Sequence, residues 1–442
     1  MMPQPVKEVL CRLNDAGYAA YAVGGCIRDL LLGREPDDWD ITTAARPEQV
    51  MSLFAGHCIP TGLQHGTVTV RQGGGSYEVT TFRTDGIYSD HRHPDSVSFS
   101  DTLEEDLKRR DFTIGAMAMD AGERIIDLFG GREDLLAGRI RAVGSADRRF
   151  DEDALRIMRA LRFASVLGFS LEEETAAAAR RCAPMLRAIA VERLRVEMTK
   201  LLCGRDAAKV LLEYPDVISV FLPEILPAVG LDQRNVHHIY DVWGHTAHAV
   251  AAATEDPIVR WTMLFHDLGK PNCFTVDEGG VGHFYGHGKE SLKIALAAMS
   301  RMKFSNEDRD AVAKLVDWHD RVIPVTPKGI RRCLNALGTE GTRRLIAVKR
   351  ADNLAQSPIY RSRQQELDRA EEILEELLAQ DACFSLKQLA VKGGDVMTLG
   401  LKGPAVGEML QCLLEKVLEE SLPNEREALL AWARRYMKTE QL

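Results

Sequence analysis

No stretch of the 442-residue chain reaches 18 uninterrupted apolar residues, so a membrane-spanning helix is not expected. The start, Met-Met-Pro-Gln-Pro-Val-Lys-Glu, has no basic region followed by an apolar run, and no secretion leader is expected. Nine cysteines are scattered without any Cys-x-x-Cys spacing, which excludes a zinc ribbon or a disulfide scaffold and suits a reducing cytoplasm. Internal repeats and low-complexity linkers are missing as well. An excess of positive charge is also lacking: Lys and Arg total 56 against 65 Asp and Glu, net -9. That balance argues against coating nucleic acid indiscriminately but leaves room for a local basic surface. Arginine is concentrated from Arg139 to Arg195 and again through Lys328, Arg331, Arg332, Arg343, Arg344, Lys349 and Arg350.

What is present is enough for two to four domains with real cores, since 45% of residues are hydrophobic. The first 145 residues mix strands and helices, with a hairpin from Thr67-Val-Thr-Val-Arg71 to Tyr77-Glu-Val-Thr-Thr-Phe-Arg83. Shorter strands are expected at Arg124 to Leu128 and Ile140 to Val143. The polar stretch Thr84 to Ser100 reads as a mobile loop. Beyond Phe150 only helical patterns are expected, such as Glu172 to Cys182, Val191 to Leu202 and Ala370 to Leu378. The fold class is therefore α+β, an α/β head with a mixed sheet before an all-α body. Pro215 to Gly230 is the strongest candidate for a domain boundary, and divisions at 1–145, 146–225, 226–355 and 356–442 are expected.

The most informative residues are Asp38 and Asp40 in Arg-Glu-Pro-Asp-Asp-Trp-Asp-Ile-Thr. On a strand they project from one side while Trp39 packs on the other. Two adjacent carboxylates repel unless a cation lies between them, and magnesium suits such a site because a substrate's phosphates supply its other ligands. Upstream, the apolar run Tyr18 to Val23 ends in Gly24-Gly25, after which a helix begins near Ile27 with Arg28 in its first turn. Backbone N–H groups at a helix start, with an arginine beside them, seat a phosphate. Glu78, on the hairpin, is placed to neighbour the Asp38/Asp40 strand.

Two further clusters follow. Arg109-Arg110-Asp111-Phe112-Thr113 stands one loop beyond the carboxylates, where guanidinium forks suit phosphate or sugar oxygens. In Phe150 to Phe163, a continuous helix would set Asp153, Arg156, Arg159 and Arg162 three apart as a polar ridge beside the apolar ridge Leu155, Met158 and Leu161.

Together, Gly-Gly-x-x-Arg-Asp, Asp-x-Asp-Ile-x-Thr, Arg-Arg-Asp-Phe-Thr, Asp127-Leu-Phe-Gly-Gly with Asp134-Leu135, Glu-Asp-Ala-Leu-Arg and Glu192-Arg193-Leu194-Arg195-Val196-Glu197 resemble, in order and spacing, the class II tRNA nucleotidyltransferase and bacterial poly(A) polymerase family. The match runs from Ala19 to Leu202, with Gly115 where the family usually has Asn. The resemblance implies a polymerase β-like nucleotidyltransferase head working by two-metal nucleotidyl transfer, with Mg2+ on Asp38 and Asp40, Glu78 as a third carboxylate, and tRNA, ATP and CTP as partners. It implies that Gly25 and Arg28 contact the triphosphate and that Arg110, with Arg109, contacts the nucleotide. Asp153 and Arg156 would read the base: C and A each offer an amino donor to a carboxylate and a ring-nitrogen acceptor to a guanidinium, whereas U and G oppose both. Arg159 and Arg162 would order that helix or reach phosphates.

Downstream, His245, His266-Asp267-Leu268-Gly269-Lys270, His287, His319 and Asp352 resemble the HD phosphohydrolase domain. Imidazoles and carboxylates suit a divalent transition metal. By that resemblance His245, His266, Asp267 and Asp352 ligate one metal, with His287 and His319 near a second metal or the substrate phosphate. The activity implied is phosphatase or 2′,3′-cyclic phosphodiesterase. The tail beyond Asp352 is expected to bind tRNA. The same head motifs are shared by A-adding enzymes and poly(A) polymerases, and the intact stretch from Thr84 to Ser100 argues against a CC-only enzyme. A further reading makes the head an RNA-binding platform and the HD site the enzyme.

Overall fold

The computed structural model describes residues 1–85, 97–380 and 382–440, and the chain forms two compact units, Met1–Leu226 and Pro227–Leu442. The division falls inside the expected boundary stretch.

The first unit begins α1 (Gln4–Asp15), β1 (Ala20–Val23), α2 (Gly25–Leu31), β2 (Asp40–Thr43), α3 (Pro47–Leu53), β3 (Cys58–Gly62), β4 (Thr67–Gln72) and β5 (Gly75–Thr81). It continues with β6 (Arg83–Asp85), β7 (Val97–Phe99), α4 (Leu103–Lys108), β8 (Met117–Met119) and β9 (Ile125–Asp127). Seven of these strands form one mixed sheet in the order β3-β4-β5-β2-β1-β8-β9. Only β2 and β5 run parallel, and their register sets Asp40 opposite Glu78.

Apolar residues at both strand and helix periods explain the layering. Val6, Val9, Leu10 and Leu13 recur at three- and four-residue spacing on α1 and pack with Ala20, Ala22, Trp39, Ile41, Val68, Val70 and Val79 on one sheet face. On the other face Val23 and Ala118 pack under Leu107 of α4. Asp40 pairs with Val23 and therefore shares that second face. The carboxylates thus lie on the side of the sheet that α4 covers.

Helices follow: α5 (Gly131–Leu136), α6 (Ala146–Glu152), α7 (Leu155–Leu167), α8 (Glu173–Cys182), α9 (Val191–Leu202), α10 (Ala207–Glu213) and α11 (Pro215–Ile218). The expected ridge from Asp153 to Arg162 does not lie on one helix. Asp153 is extended (φ -144, ψ 104) between α6 and α7, and its carboxylate accepts the Leu155 N–H at 3.0 Å. An aspartate that bonds a nearby backbone N–H competes with the helix ladder, which ends one helix and starts the next.

The second unit holds α12 (Val242–Ala252), α13 (Pro257–Phe265), α14 (Lys270–Cys273), α15 (His287–Arg301), α16 (Asn306–Trp318), α17 (Pro327–Ala355), α18 (Arg363–Ala379), α19 (Gly393–Met397), α20 (Pro404–Leu418) and α21 (Arg426–Glu440). Gly338 breaks α17 with φ 71 and ψ 178. One core joins Ile330 and Leu334 to Ile373 and Leu374, and a separate one gathers Leu389, Val391, Leu413 and Leu429. Among the described residues no helix is long and apolar enough to cross a membrane.

Two expectations change. Strands do occur beyond Phe150: β11 (Ser170–Leu171) pairs in parallel with β10 (Arg139–Ile140), which overlaps the strand expected at Ile140, and β12 (Thr275–Val276) pairs antiparallel with β13 (Gly282–His283). Each has two residues, too few to display a period. The stretch expected as an aperiodic loop from Thr84 to Ser100 has paired ends, Thr84 opposite Ser98. The expected mobile portion, 86–96, lies outside the described residues.

Gly204, just after α9, holds the neck together. A Cβ there would stand 2.1 Å from the Ser165 hydroxyl and 2.7 Å from the Ser165 carbonyl carbon on α7. Gly204→Ala should therefore cost about 1–3 kcal/mol, measured as a lower Tm. Gly407→Ala on α20, where nothing lies within 4 Å, should leave Tm unchanged or raise it.

Candidate active sites

The chain leaves β1 at Gly24 with φ 83, and the Gly24 N–H donates to the Met117 carbonyl at 3.2 Å. A Cβ on Gly24 would meet Arg110 Nη1 at 2.9 Å. Glycine is required twice over, for the positive φ and for the guanidinium lying on its backbone. Arg28 on α2 pairs with Asp29 at 2.8 Å, and its guanidinium lies over the Phe163 ring of α7, 5.2 Å from the centroid.

Asp38 and Asp40 are exposed on either side of buried Trp39, and Glu78 is exposed beside them, as the alternation requires. Desolvation lifts the Asp40 carboxyl above its ordinary pKa, Asp38 and Glu78 push the same way, and Arg110 opposes. A site with three acids and one nearby guanidinium favours a cation.

The arginine pair is built on Asp106, a fully buried residue of α4. Its carboxylate accepts Arg109 Nε at 3.0 Å and Nη2 at 2.9 Å, Arg110 Nη2 at 3.4 Å and the Thr42 hydroxyl at 3.2 Å. Burial pushes the Asp106 pKa up, yet the two arginines outweigh it and hold it below the carboxylate range. Thr42 is two residues from Asp40 on β2, so one buried carboxylate fixes both arginines to the strand that carries the acids. Asp111, next in sequence, accepts Arg159 Nε at 2.7 Å and is likewise held ionised by that guanidinium against burial.

In the neck each sequence-selected residue has a charged partner. Asp153 takes Arg193 of α9 at 3.0 Å, and Arg162 pairs with Glu197 of α9 at 2.8 Å. Arg156, buried, donates to Glu152 at 2.6 Å, to the Arg149 carbonyl at 3.1 Å and to the Arg109 carbonyl at 3.4 Å. A cleft of about 190 Å³ shares Arg109 and Glu152 with this network and is also lined by Thr84, Glu105, Lys108, Arg148 and Arg149.

In the second unit the structure brings together all six HD residues. His245 Nε2 lies 3.2 Å from His266 Nε2, 3.4 Å from Asp267 and 3.0 Å from Asp352. On the other oxygen of Asp267, His287 Nε2 stands at 3.4 Å and His319 Nε2 at 3.9 Å, with the two imidazoles 3.1 Å apart. Each imidazole turns Nδ1 to a backbone carbonyl: Ala355, Met263, Phe284 and Val316 for His245, His266, His287 and His319. An Nδ1–H donated to a carbonyl leaves Nε2 as the free lone pair, the arrangement of a metal-ligating histidine. Among the described residues, the tight groupings of metal-type donors are His245, His266, Asp267 and Asp267, His287, His319.

Burial opposes charge on His266, but Asp267 and Asp352 hold it up to about 10. Burial and the neighbouring His266 bring His319 down to about 4.

Sequence reasoning gave no site role to several residues that the geometry uses: Asp106 in the head, Glu152, Arg193 and Glu197 in the neck, Gln233, His238 and Lys270 in the second unit. Lys270 is buried, pairs with Asp267 at 2.7 Å and donates to Gln233 at 2.8 Å. The His238 ring lies 5.1 Å from that of His245, and burial lowers its pKa to about 3. The Arg-Arg pair three residues after Asp106 was a signal for a buried counter-ion. Nothing in the local pattern marks Gln233.

The family described as "Poly A polymerase head domain" matches residues 20–141, and "HD domain" matches 236–357. The family described as "Probable RNA and SrmB- binding site of polymerase A" matches 168–228, and "tRNA nucleotidyltransferase domain 2 putative" matches 341–433. The CCA-adding enzyme of Geobacillus thermodenitrificans is 38% identical over 447 residues, covering 99% of this chain and 98% of the relative. That of Leuconostoc mesenteroides is 48% identical over 248 residues, 54% of this chain and 61% of the relative. Among solved structures, the Bacillus stearothermophilus CCA-adding enzyme in complex with CTP is 34% identical with TM-score 0.77, covering 100% of this chain and 99% of that one. With its head, neck and HD unit matched along nearly its whole length, the chain belongs to the family of CCA-adding enzymes.

Proposed function

We propose that this protein adds C, C and A to the 3′ end of tRNA from CTP and ATP, with nucleotidyl transfer at Asp38 and Asp40 and base selection at Asp153 and Arg156. The observation that carries the reading is the single face on which Asp40, Glu78 and the Asp106-anchored arginines meet. Asp38 and Asp40 hold Mg2+, with Glu78 as a further carboxylate. When bound, Mg2+ neutralises phosphate charge and lowers the cost of ionising the attacking hydroxyl. In the transfer the RNA 3′-oxygen bonds to the α-phosphorus, the bond to pyrophosphate breaks, and the hydroxyl proton passes to water. Gly25 and Arg28 contact the triphosphate, and Arg109 and Arg110 orient it from their buried anchor. Arg193 aims the Asp153 carboxylate, and Glu152 aims the Arg156 guanidinium, so that one accepts from an amino group and the other donates to a ring nitrogen. Arg159 and Arg162 stiffen α7 through Asp111 and Glu197. In this reading 1–145 is the catalytic head, 146–225 reads the base, 226–355 is the HD domain, and 356–442 binds tRNA.

Primer extension on tRNA lacking its last three nucleotides tests this. With CTP and ATP together two C and one A should be added, and Asp38→Ala or Asp40→Ala should abolish the reaction. A long A tail, or A added only to tRNA ending in CC, would point instead to the poly(A) or A-adding activity of the same chemistry. Asp153→Ala should weaken selection of CTP over UTP about ten- to a hundredfold, the size of a lost charged hydrogen bond. Unchanged selectivity would remove Asp153 from base reading.

A second reading is favoured by the two histidine pairs on Asp267. We propose that His245, His266, Asp267 and Asp352 hold a divalent transition metal, that His287 and His319 hold a second one or the substrate phosphate, and that this site hydrolyses a phosphoester. Such a metal supplies charge neutralisation and an acidified water. Water adds to phosphorus, the bond to one ribose oxygen breaks, and that oxygen takes the proton. Hydrolysis of a 2′,3′-cyclic phosphate should need divalent metal, cease with a chelator and vanish in Asp267→Ala while extension persists. Absence of hydrolysis with every divalent metal tried would leave the site without this activity.

A further inference from the structure

Between Lys270 and His287 the chain forms a small, largely exposed hairpin from β12 and β13. Its turn is closed by Asp277, whose carboxylate accepts the N–H groups of Gly279 at 2.9 Å and Val281 at 3.0 Å and the Nε2–H of His283 at 2.8 Å. The Tyr285 hydroxyl lies 3.4 Å from His283 Nδ1, and the two rings stack 5.3 Å apart at 7°. Yet Tyr285 is 78% exposed.

Phe284, between them and just past the end of β13, makes a different set of contacts. Phe284 stacks on Phe274 at 5.2 Å and lies under the Lys270 ammonium, also 5.2 Å from the ring centroid. The Phe284 carbonyl accepts both the N–H and the Nδ1–H of His287, at 3.1 and 2.9 Å. A second tie runs from β13: the Gly282 N–H donates to the Arg234 carbonyl at 2.9 Å, and Gln233, one residue earlier, accepts from Lys270. A Cβ on Gly282 would strike the Gln233 carbonyl at 2.2 Å. The hairpin is thus fixed from both ends to residues that touch Asp267, while it holds an aromatic face out in water two residues from His287.

Holding a hydrogen-bonded, stacked pair of rings in solvent brings little hydrophobic gain, because the outer face of Tyr285 remains wet. Such a face is suited to a planar partner. We propose that Tyr285, backed by His283 and Asp277, is a stacking platform for the base of a nucleotide whose phosphate is hydrolysed at the HD site. This rests on the phosphohydrolase reading of that site and narrows its substrate to nucleoside phosphates and RNA 3′ ends. Stacking is indifferent to base identity, because every base has a π face, and is worth about 1–3 kcal/mol per base. The platform therefore selects for the presence of a base and not for its kind.

The test compares 2′,3′-cyclic AMP with the 2,3-cyclic phosphate of methyl riboside, which lacks the base, on the full-length protein loaded with divalent metal. Tyr285→Ala should lower the preference for the nucleotide about tenfold through KM, and Tyr285→Phe, which keeps the ring and loses the hydroxyl, should retain it. Equal loss on both substrates would make Tyr285 a structural residue, and no loss on either would overturn the platform. Binding of 3′-AMP, measured by calorimetry in the same variants, separates this from the hydrolase reading. Weaker binding to Tyr285→Ala than to wild type supports the platform even where neither substrate is hydrolysed. Equal affinity overturns it.

Discussion

The head is organised by one buried charge. Asp106 has no access to solvent, and a carboxylate in that position is tolerated only because two guanidiniums and a hydroxyl satisfy it. The arrangement works in both directions. Arg109 and Arg110 neutralise Asp106, and Asp106 prevents them from collapsing onto Asp40 and Glu78, which would fill the place of a cation with protein. Arg110 is left lying on Gly24, between the acids of β2 and the start of α2. Removing the buried acid would release two positive charges beside Asp40 and Glu78, where the proposed cation would bind.

The second unit solves a related problem by sharing. Asp267 offers one oxygen to His245 and His266 and the other to His287 and His319. Each imidazole is locked by its own backbone carbonyl, so the four rings cannot turn away from one another to relieve their repulsion. Such enforced crowding of lone pairs is costly in an apolar interior unless protons or cations enter it. The same logic governs Asp38, Asp40 and Glu78 in a wetter setting.

Much of this was legible in the chain. Trp39 between two aspartates announced the alternation on β2, and the spacing of Gly24-Gly25 and Arg28 placed the turn and helix that follow β1. The six HD residues were found from their types and order, and the fold class followed from where strand periods give way to helical ones. Three features escaped for physical reasons. The two-residue strands β11 to β13 are shorter than the period that reveals a strand. The break at Asp153 depends on a side chain capturing the Leu155 N–H, a contact that a helical spacing rule does not see. Gln233 acts through Lys270, remote in sequence, and Asp106, although its arginines are close by in the chain, reaches the acid-bearing strand only through Thr42; the tertiary fold alone makes both links.

The break at Asp153 bears on the proposed reading of two bases by one pair of side chains. Arg156 sits inside α7 and is held by Glu152 and two backbone carbonyls. Asp153 stands at the joint before it, with its N–H on the Arg149 carbonyl, its carbonyl on the Arg156 N–H and its carboxylate held by the Leu155 N–H and Arg193. On that reading both jaws are set before a base arrives, and a pyrimidine and a purine are gauged by the amino group and ring nitrogen they share rather than by their size.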